Sequence, residues 1–344
     1  MVRNTWQHWI GGFMIIIVLV FGASTTSANE IGFGIKATIP DNQIDSQLTY
    51  FDLKLEPDSS QQLSVTLTNT TAQEKKIHLI PNRATTNQNG SIDYSQEKAV
   101  KDASLAIDFN ELISEKQLVT LGPKEVKEVA FTLHAPKNAF KGIVLGGLFV
   151  YEDKEKNTET KAEEAIQITN DFSYIIGVKL RSNETEIEPD FVLKTVKPEL
   201  KNHRTAVVAT IQNNQPAIVR EMTIVSKITK ADSQKEVLSN SKTGIGMAPN
   251  SSFDFPIGFQ DQALKPGSYH LHLTLTIEDK TWELSRAFDI SQNEAHEINN
   301  KAVNLEKSPL VMILMMILII LVCIIILLVL ILKKRNTQSP DRLT

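Results

Sequence analysis

Leu310 to Leu332 is a run of twenty-three residues without a single charge, and it is followed at once by Lys333-Lys334-Arg335. As a helix rising about 1.5 Å per residue it reaches roughly 34 Å, enough to cross a hydrocarbon core of about 30 Å. A helix packed on a soluble core keeps a polar face, and this one has none. The three basic residues form the stop, and the positive-inside rule puts the tail 333–344 in the cytoplasm. The rest of the chain is therefore expected to be held out from a membrane by a single pass.

The other end agrees. Arg3 supplies a short basic region, Ile10 to Gly22 an apolar one, and Thr26-Ser27-Ala28 a cleavage site with small residues. The alternative is a second membrane helix, but the apolar run is short and interrupted by glycine, which favours a signal peptide over 1–28. Glu306-Lys307-Ser308-Pro309 is not an LPxTG-like sortase motif, and a glycolipid-anchor signal ends in its apolar tail, whereas this chain continues with polar residues. The helix is expected to stay in the mature protein.

Residues 29–308 hold all but five of the 36 basic residues and all but one of the 40 acidic ones, a net charge of −8. An acidic exterior argues against nucleic acid and against a polyanion as the main ligand. The single cysteine, Cys323, lies inside the apolar helix, so the exterior has no disulfides and must be held by burial. Four Asn-x-Ser/Thr sequons, at Asn69, Asn89, Asn183 and Asn250, are unremarkable in so Asn-rich a chain. A cysteine-free exported domain fits a Gram-positive surface, and about 280 residues suggest two domains.

Period-two apolar runs broken by turn residues predict antiparallel strands throughout. In the first half these are 33–39, 50–55, 62–68, 76–80 and 126–133. Asn89-Gly90 carries the signal of a type I′ turn, which needs positive φ at both central residues. Lys141 to Tyr151 is apolar on both faces and contains Gly142, Gly146 and Gly147, as a doubly buried strand with a close backbone approach or a bulge would. A phosphate-cradling loop is the alternative, but no helix pattern or Lys-Ser/Thr pair follows. Ile166 to Leu180 either pairs back on that strand or opens the second domain; two long apolar runs joined by one charged loop favour the hairpin. In the second half, strands are expected over 191–196, 206–212, 219–228, 252–259, 269–278 and 282–290, with turns at Asn213-Asn214, Pro249-Asn250 and Pro266-Gly267.

The expected fold is thus all-β: two tandem immunoglobulin-like sandwiches and one C-terminal transmembrane helix. The expected boundaries are 29–182 for the first sandwich (30–152 plus a closing strand 166–181), 183–292 for the second, 293–309 for a polar stalk, with part of it open to a helical reading, and 310–332 for the helix.

No nucleophile motif, zinc spacing or calcium loop appears, and neither an enzyme nor a cofactor is expected. His270 and His272 share a strand face as metal ligands could, but no third ligand is assignable and no metal is expected. Asp52, Glu56 and Asp58 are read as solvated turn acids rather than a glycosidase pair, and Trp282 as a core anchor rather than a sugar platform. The loop Thr85-Thr86-Asn87-Gln88-Asn89-Gly90, with Asp93 and Tyr94 beyond it, is rich in small hydrogen-bonding side chains and is the candidate binding loop. Its plain alternative is a solvated hairpin tip.

These residues also resemble the WxL-interacting protein family. The matching stretches are Tyr50-Phe51-Asp52-Leu53 with Pro57, Ala84-Thr85-Thr86-Asn87, Asn89-Gly90-Ser91-Ile92-Asp93-Tyr94, Lys141 to Gly147, and Tyr174 to Leu180. In the second half they are Gln212-Asn213-Asn214, Met247-Ala248-Pro249-Asn250-Ser251, Lys265 to Tyr269 and the Trp282 strand; Pro266 departs from the small residue usual before Gly267. Gly142, Gly146, Gly147, Pro249, Asn250, Gly267 and Trp282 are structural positions in this set. The resemblance implies a peptidoglycan-binding N-terminal domain, a second domain binding host surface proteins, and association with WxL-domain surface proteins. It implies no catalytic residues. The rival reading is an accessory subunit or sensor ectodomain of a wall-remodelling hydrolase, and the short tail weakens the sensor.

Overall fold

The computed structural model describes residues 32–153, 171–303, 305 and 309–336; in the last segment, side chains are described from Ile313 to Lys333. The expected signal peptide, most of the charged loop before the 166–180 run, and the tail from 337 on lie outside these residues. The expectation of an all-β chain with one C-terminal apolar helix holds.

The strands in chain order are β1 (Phe33–Thr38), β2 (Phe51–Lys54), β3 (Ser60–Asn69), β4 (Lys75–Arg83), β5 (Thr85–Thr86) and β6 (Ile92–Asp93). A four-residue helix α1 (Phe109–Leu112) precedes β7 (Gln117–Leu121), β8 (Val126–His134), β9 (Val144–Glu152) and β10 (Ser173–Arg181). The second half contains β11 (Phe191–Lys201), β12 (Arg204–Asn213), β13 (Val219–Lys230), β14 (Glu236–Met247), β15 (Ser251–Gly258), β16 (Gly267–Ile277) and β17 (Lys280–Ile290). Helices α2 (Gln292–Lys301) and α3 (Pro309–Asn336) follow.

The first sandwich pairs a three-stranded sheet, β1-β3-β8, with a five-stranded one, β2-β10-β9-β4-β7. Strict alternation builds it: on β3, Leu63, Val65 and Leu67 are fully buried while the residues between them are partly exposed. Phe33 of β1 meets Tyr174 of β10 edge to face at 5.3 Å, joining the two sheets. Fully burying side chains such as Phe51, Leu79 and Phe131 is worth about 1.5–3 kcal/mol each. β10 lies between β2 and β9 in this sheet.

The second sandwich pairs β11-β12-β15 with β14-β13-β16-β17. One core holds both sheets together, with Val207, Ile211 and Phe255 on one side and Ile224, Leu271 and Leu273 on the other. The two sandwiches share a plan. In each, the first, second and fifth of seven common strands form one sheet, and the fourth, third, sixth and seventh form the other. The first sandwich adds β2 between its first two common strands and the stretch 84–116 between the third and fourth.

That stretch gives the chain its unexpected division. One compact unit takes the chain up to Asn82 with Asn110–Asn138 and Gly146–Lys179; the other takes Arg83–Phe109, Ala139–Leu145 and everything from Leu180. The second unit is therefore assembled from three pieces of chain.

Two strands, β7 and β14, had no counterpart in the apolar pattern. Within the stretch expected to be a partly helical stalk, 292–301 is a helix, and it packs on the second sandwich. Ser291 and Glu294 form a capping box at its start. Ala295 is buried in the core, and Asn299 both accepts from Leu264 N (2.9 Å) and donates to Leu264 O (2.9 Å). Helix α3 is 28 residues long, about 42 Å. Its stretch Ile313–Lys333 is long and apolar enough to cross a membrane, and no described part of the protein covers it.

Candidate functional site

The candidate loop is a small hairpin, β5 paired with β6 (Thr85↔Asp93, Thr86↔Ile92), and it belongs to the second compact unit. Only Gly90, at φ +71°, is left-handed in the loop, so the expected type I′ turn at Asn89-Gly90 is not formed. The loop runs five residues instead, and the Asn87 side chain closes it by accepting from Asn89 N (2.9 Å) and Ser91 N (3.2 Å). The Asn87 backbone N–H donates to Ser91 O and the Gly90 N–H to Asn87 O.

Much of the hairpin's polar chemistry is used within the unit. Thr86 is buried; its Oγ1 accepts from Ala248 N (3.0 Å) and bonds Ser251 Oγ (2.6 Å). Gly90 O accepts from Gly246 N, and Asn89 O from Lys242 Nζ. Thr85 Oγ1 donates to Asp93 O (3.2 Å). Burial alone would raise the pKa of Asp93, but hydrogen bonds from Ser95 (N and Oγ), Gln96 and the Tyr94 backbone outweigh it and hold the carboxyl below its ordinary range. Tyr94 is half-buried. The residues left exposed are Gln88, Asn89 and Ser91.

A second polar cluster lies further along the same stretch. Asp102 accepts from Ser252 Oγ (2.5 Å), Gln212 Nε2 (2.5 Å), and Ser104 N and Oγ. Burial again pushes its pKa up, and those four bonds together pull it below the carboxylate norm. Asn250, left-handed at φ +47°, donates to Ser104 O and Asn214 O.

The glycines of 141–147 divide. Gly142 has φ +76°, and a Cβ there would sit 2.5 Å from Pro216 O; the adjacent Ile143 N–H donates to that same oxygen. Gly146 and Gly147 are buried inside β9. Pro249 precedes Asn250 in the β14–β15 turn, and Gly267 opens β16 at φ +146°. Trp282 is partly buried against the core, edge to face with Phe191 at 5.2 Å.

The remaining sequence candidates are dispersed. His270 and His272 stack at 6.2 Å on β16, and His272 Nδ1 pairs with Ser285 Oγ. Among the described residues no group of three or more metal-ligating side chains forms. Glu56 and Asp58 are exposed in the turn after β2. Asp52 is not a solvated turn acid: it is buried on β2 and ion-paired with Lys179 on the neighbouring strand at 3.3 Å. Strand alternation places it on a sheet face, where burying a carboxylate requires such a partner. Of the four sequons, the Asn69, Asn183 and Asn250 amides donate to protein carbonyls.

Sequence reasoning missed the outward face of the five-stranded sheet. On β4, Ile77 and Leu79 are fully buried, so His78 between them points away from the core. On β9, Leu148 and Val150 are likewise buried, and Phe149 and Tyr151 point outward. His78 stacks on Tyr151 at 4.9 Å and 24°, and Phe149 leans on Tyr151 at 5.3 Å. Leu118, directly across from His78 on β7, is 55% exposed. On β10, Ile175 is 46% exposed, and Gly177 on the same side leaves room for the Tyr50 side chain, whose Cβ would be 3.8 Å from an added Cβ.

Residues 33–152 match the model of the WxL-interacting protein peptidoglycan-binding domain, and residues 163–300 that of the WxL-interacting protein host-binding domain. The chain belongs to the WxL-interacting protein family. The two matches come in N- to C-terminal order, so this WxL-interacting protein carries a peptidoglycan-binding and a host-binding domain ahead of its apolar helix. The host-binding match contains Gln212, Ala248, Ser251 and Ser252, the partners of the stretch contributed by the peptidoglycan-binding match. No curated protein matches the sequence.

Among solved structures, the chain is similar to one in a chaperone–tip adhesin complex of CFA/I fimbriae (12% identity, 73% of this chain and 97% of that one, TM-score 0.29). It is also similar to the E. coli chaperone DraB (13%, 76% and 98%, TM-score 0.26). Likeness at these scores adds nothing to the assignment.

Proposed function

We propose that this chain is a non-enzymatic scaffold of the cell surface, tethered by α3 with both sandwiches outside and the tail 333–344 in the cytoplasm. The first sandwich binds peptidoglycan, the second binds host extracellular proteins, and WxL-domain surface proteins are held alongside. The observation that carries the reading is the ordered pair of binding-domain matches followed by one exposed apolar helix. The exposed tip of the candidate loop, Gln88, Asn89 and Ser91, is the part of that loop open to a ligand.

Detergent-solubilised full-length protein, mixed with purified sacculi and separately with WxL-domain proteins, tests the binding. Retention of both is expected, and retention of neither would sink the proposal. Muropeptide release by the same preparation would overturn the non-enzymatic reading. Orientation is tested in intact cells with a membrane-impermeant maleimide and a Cys323→Ser background. Ser239→Cys should label and Ser339→Cys should not; the reverse would invert the topology.

A further inference from the structure

We propose that the outward face of the sheet β2-β10-β9-β4-β7 is a saccharide-binding platform that takes the N-acetylated glycan strand of peptidoglycan, rather than its peptide stems. This rests on the reading that the first sandwich binds peptidoglycan. The inner face of the sheet is covered by β1-β3-β8. The outer face presents Leu118 (55% exposed), His78, Tyr151, Phe149 and Ile175 (46% exposed) across four adjacent strands, with Tyr50 beside Gly177 at the far side.

Five strands separated by about 4.8 Å make this row ~19 Å wide. An outward row of apolar and aromatic side chains, with Leu118 and Ile175 about half exposed, fits a recognition surface. Its chemistry favours sugar. A pyranose has an apolar C–H face, which lies flat on an aromatic ring, and an edge of hydroxyl and acetamido groups that need hydrogen-bond partners. The His78–Tyr151–Phe149 cluster supplies the rings. A polar partner stands beside the rings: Asp153, 3.6 Å from His78 Nε2, with its side chain 46% exposed. A peptide stem needs neither stacked rings nor a flat face. A protein partner adding a strand would use a sheet edge instead.

The test uses full-length protein in detergent micelles, sacculi as the solid phase, and two soluble competitors: an N-acetylglucosamine tetrasaccharide and a free stem peptide. The tetrasaccharide should compete and the stem peptide should not. Tyr151→Ala should weaken sacculus binding about tenfold or more, and Tyr151→Phe, which keeps the ring, should stay within about twofold. Leu118→Glu, at an exposed position on the edge strand β7, should weaken binding about as much as Tyr151→Ala while leaving the melting temperature close to that of the native chain. If sacculi retain the Tyr151→Ala and Leu118→Glu variants as well as the native chain, or if only the stem peptide competes, the platform is wrong while peptidoglycan binding stands. If sacculi do not retain the native chain, the reading of the first sandwich fails and the platform with it.

Discussion

Asn69 and Asn213 end equivalent strands, β3 and β12, and each closes its sandwich with the same set of bonds. Asn69 accepts from Thr71 N (2.9 Å) and donates to Gln73 O (2.7 Å) and Gly122 O (2.8 Å). Asn213 accepts from Gln215 N (3.2 Å) and donates to Ala217 O (2.8 Å) and Ala248 O (3.2 Å). Both are essentially fully buried. One side chain thus shapes its own loop and pins the turn that enters the fifth common strand, at Gly122-Pro123-Lys124 or Ala248-Pro249-Asn250, where Lys124 and Asn250 are both left-handed. The shared latch, on top of the shared strand order, marks the two sandwiches as one design used twice.

Replacing either asparagine by alanine should cost about 1–3 kcal/mol, more at Asn213, whose partners Ala217 O and Ala248 O are buried, than at Asn69, whose partner Gln73 is exposed. Asn→Asp should cost more, since a carboxylate facing two carbonyl oxygens repels where the amide donated. Urea unfolding measures both; equal stability of the alanine variants and the native chain would show the latch to be idle.

The glycines should rank by what surrounds them. Gly142→Ala combines a left-handed φ, which costs a residue with a Cβ about 1–2 kcal/mol, with a backbone oxygen at 2.5 Å that cannot swing away. Gly90→Ala carries the same φ penalty, but its obstacle is the Ile245 side chain, which can yield in part. Gly34→Ala meets nothing within 4 Å and has no φ penalty, so it should be neutral or slightly stabilising. Thermal unfolding of the three variants should give the order Gly142→Ala lowest, then Gly90→Ala, then Gly34→Ala.

The interior strands were legible because one face meets a core: Leu63-Val65-Leu67 and Leu271-Leu273-Leu275 alternate cleanly with polar neighbours. β7 and β14 were not. They occupy the same sheet edge in the two sandwiches, and on β14 the middle residues Ser239 to Gly244 are polar and mostly exposed, leaving no period-two signal. The candidate loop was found as a hairpin, but its placement with the second sandwich depends on tertiary bonds among Thr86, Asp102, Ser104, Asn250 and Ser252. Small polar residues of this kind read locally as an ordinary solvated loop. The outward platform was missed because His78 and Tyr151 meet only through the β4–β9 pairing. The sole local hint was that Phe149 and Tyr151 sit out of phase with Leu148 and Val150.

The hairpin's attachment has its own test. Thr86→Val preserves shape but removes the oxygen that accepts from Ala248 N and bonds Ser251 Oγ. A buried N–H left without a partner costs about 1–3 kcal/mol. Hydrogen exchange should then show faster exchange at the Ala248 and Gly246 amides, both in the host-binding match, although the substitution lies in the peptidoglycan-binding one. Unchanged protection at those amides would mean that the Thr86 hydroxyl contributes nothing to the second unit's stability.

Asp102 makes the same attachment sensitive to acid. Its folded-state pKa lies below the unfolded value of about 3.9, because the bonds from Ser252, Ser104 and Gln212 favour the charged form. A carboxyl depressed on folding contributes its full stabilisation above the unfolded pKa, and that contribution fades as pH falls through the lower, folded value. Asp93, depressed for the same kind of reason, adds in the same direction. The native chain should therefore lose melting temperature as pH falls below about 4. Asp102→Asn should already melt lower at pH 7, by about 1.5–3 kcal/mol of stability for the lost charge-assisted bonds. Its decline on acidification should be shallower, since one of the responsible protons can no longer bind. Parallel acid profiles for the two proteins would show that Asp102 carries none of the pH dependence.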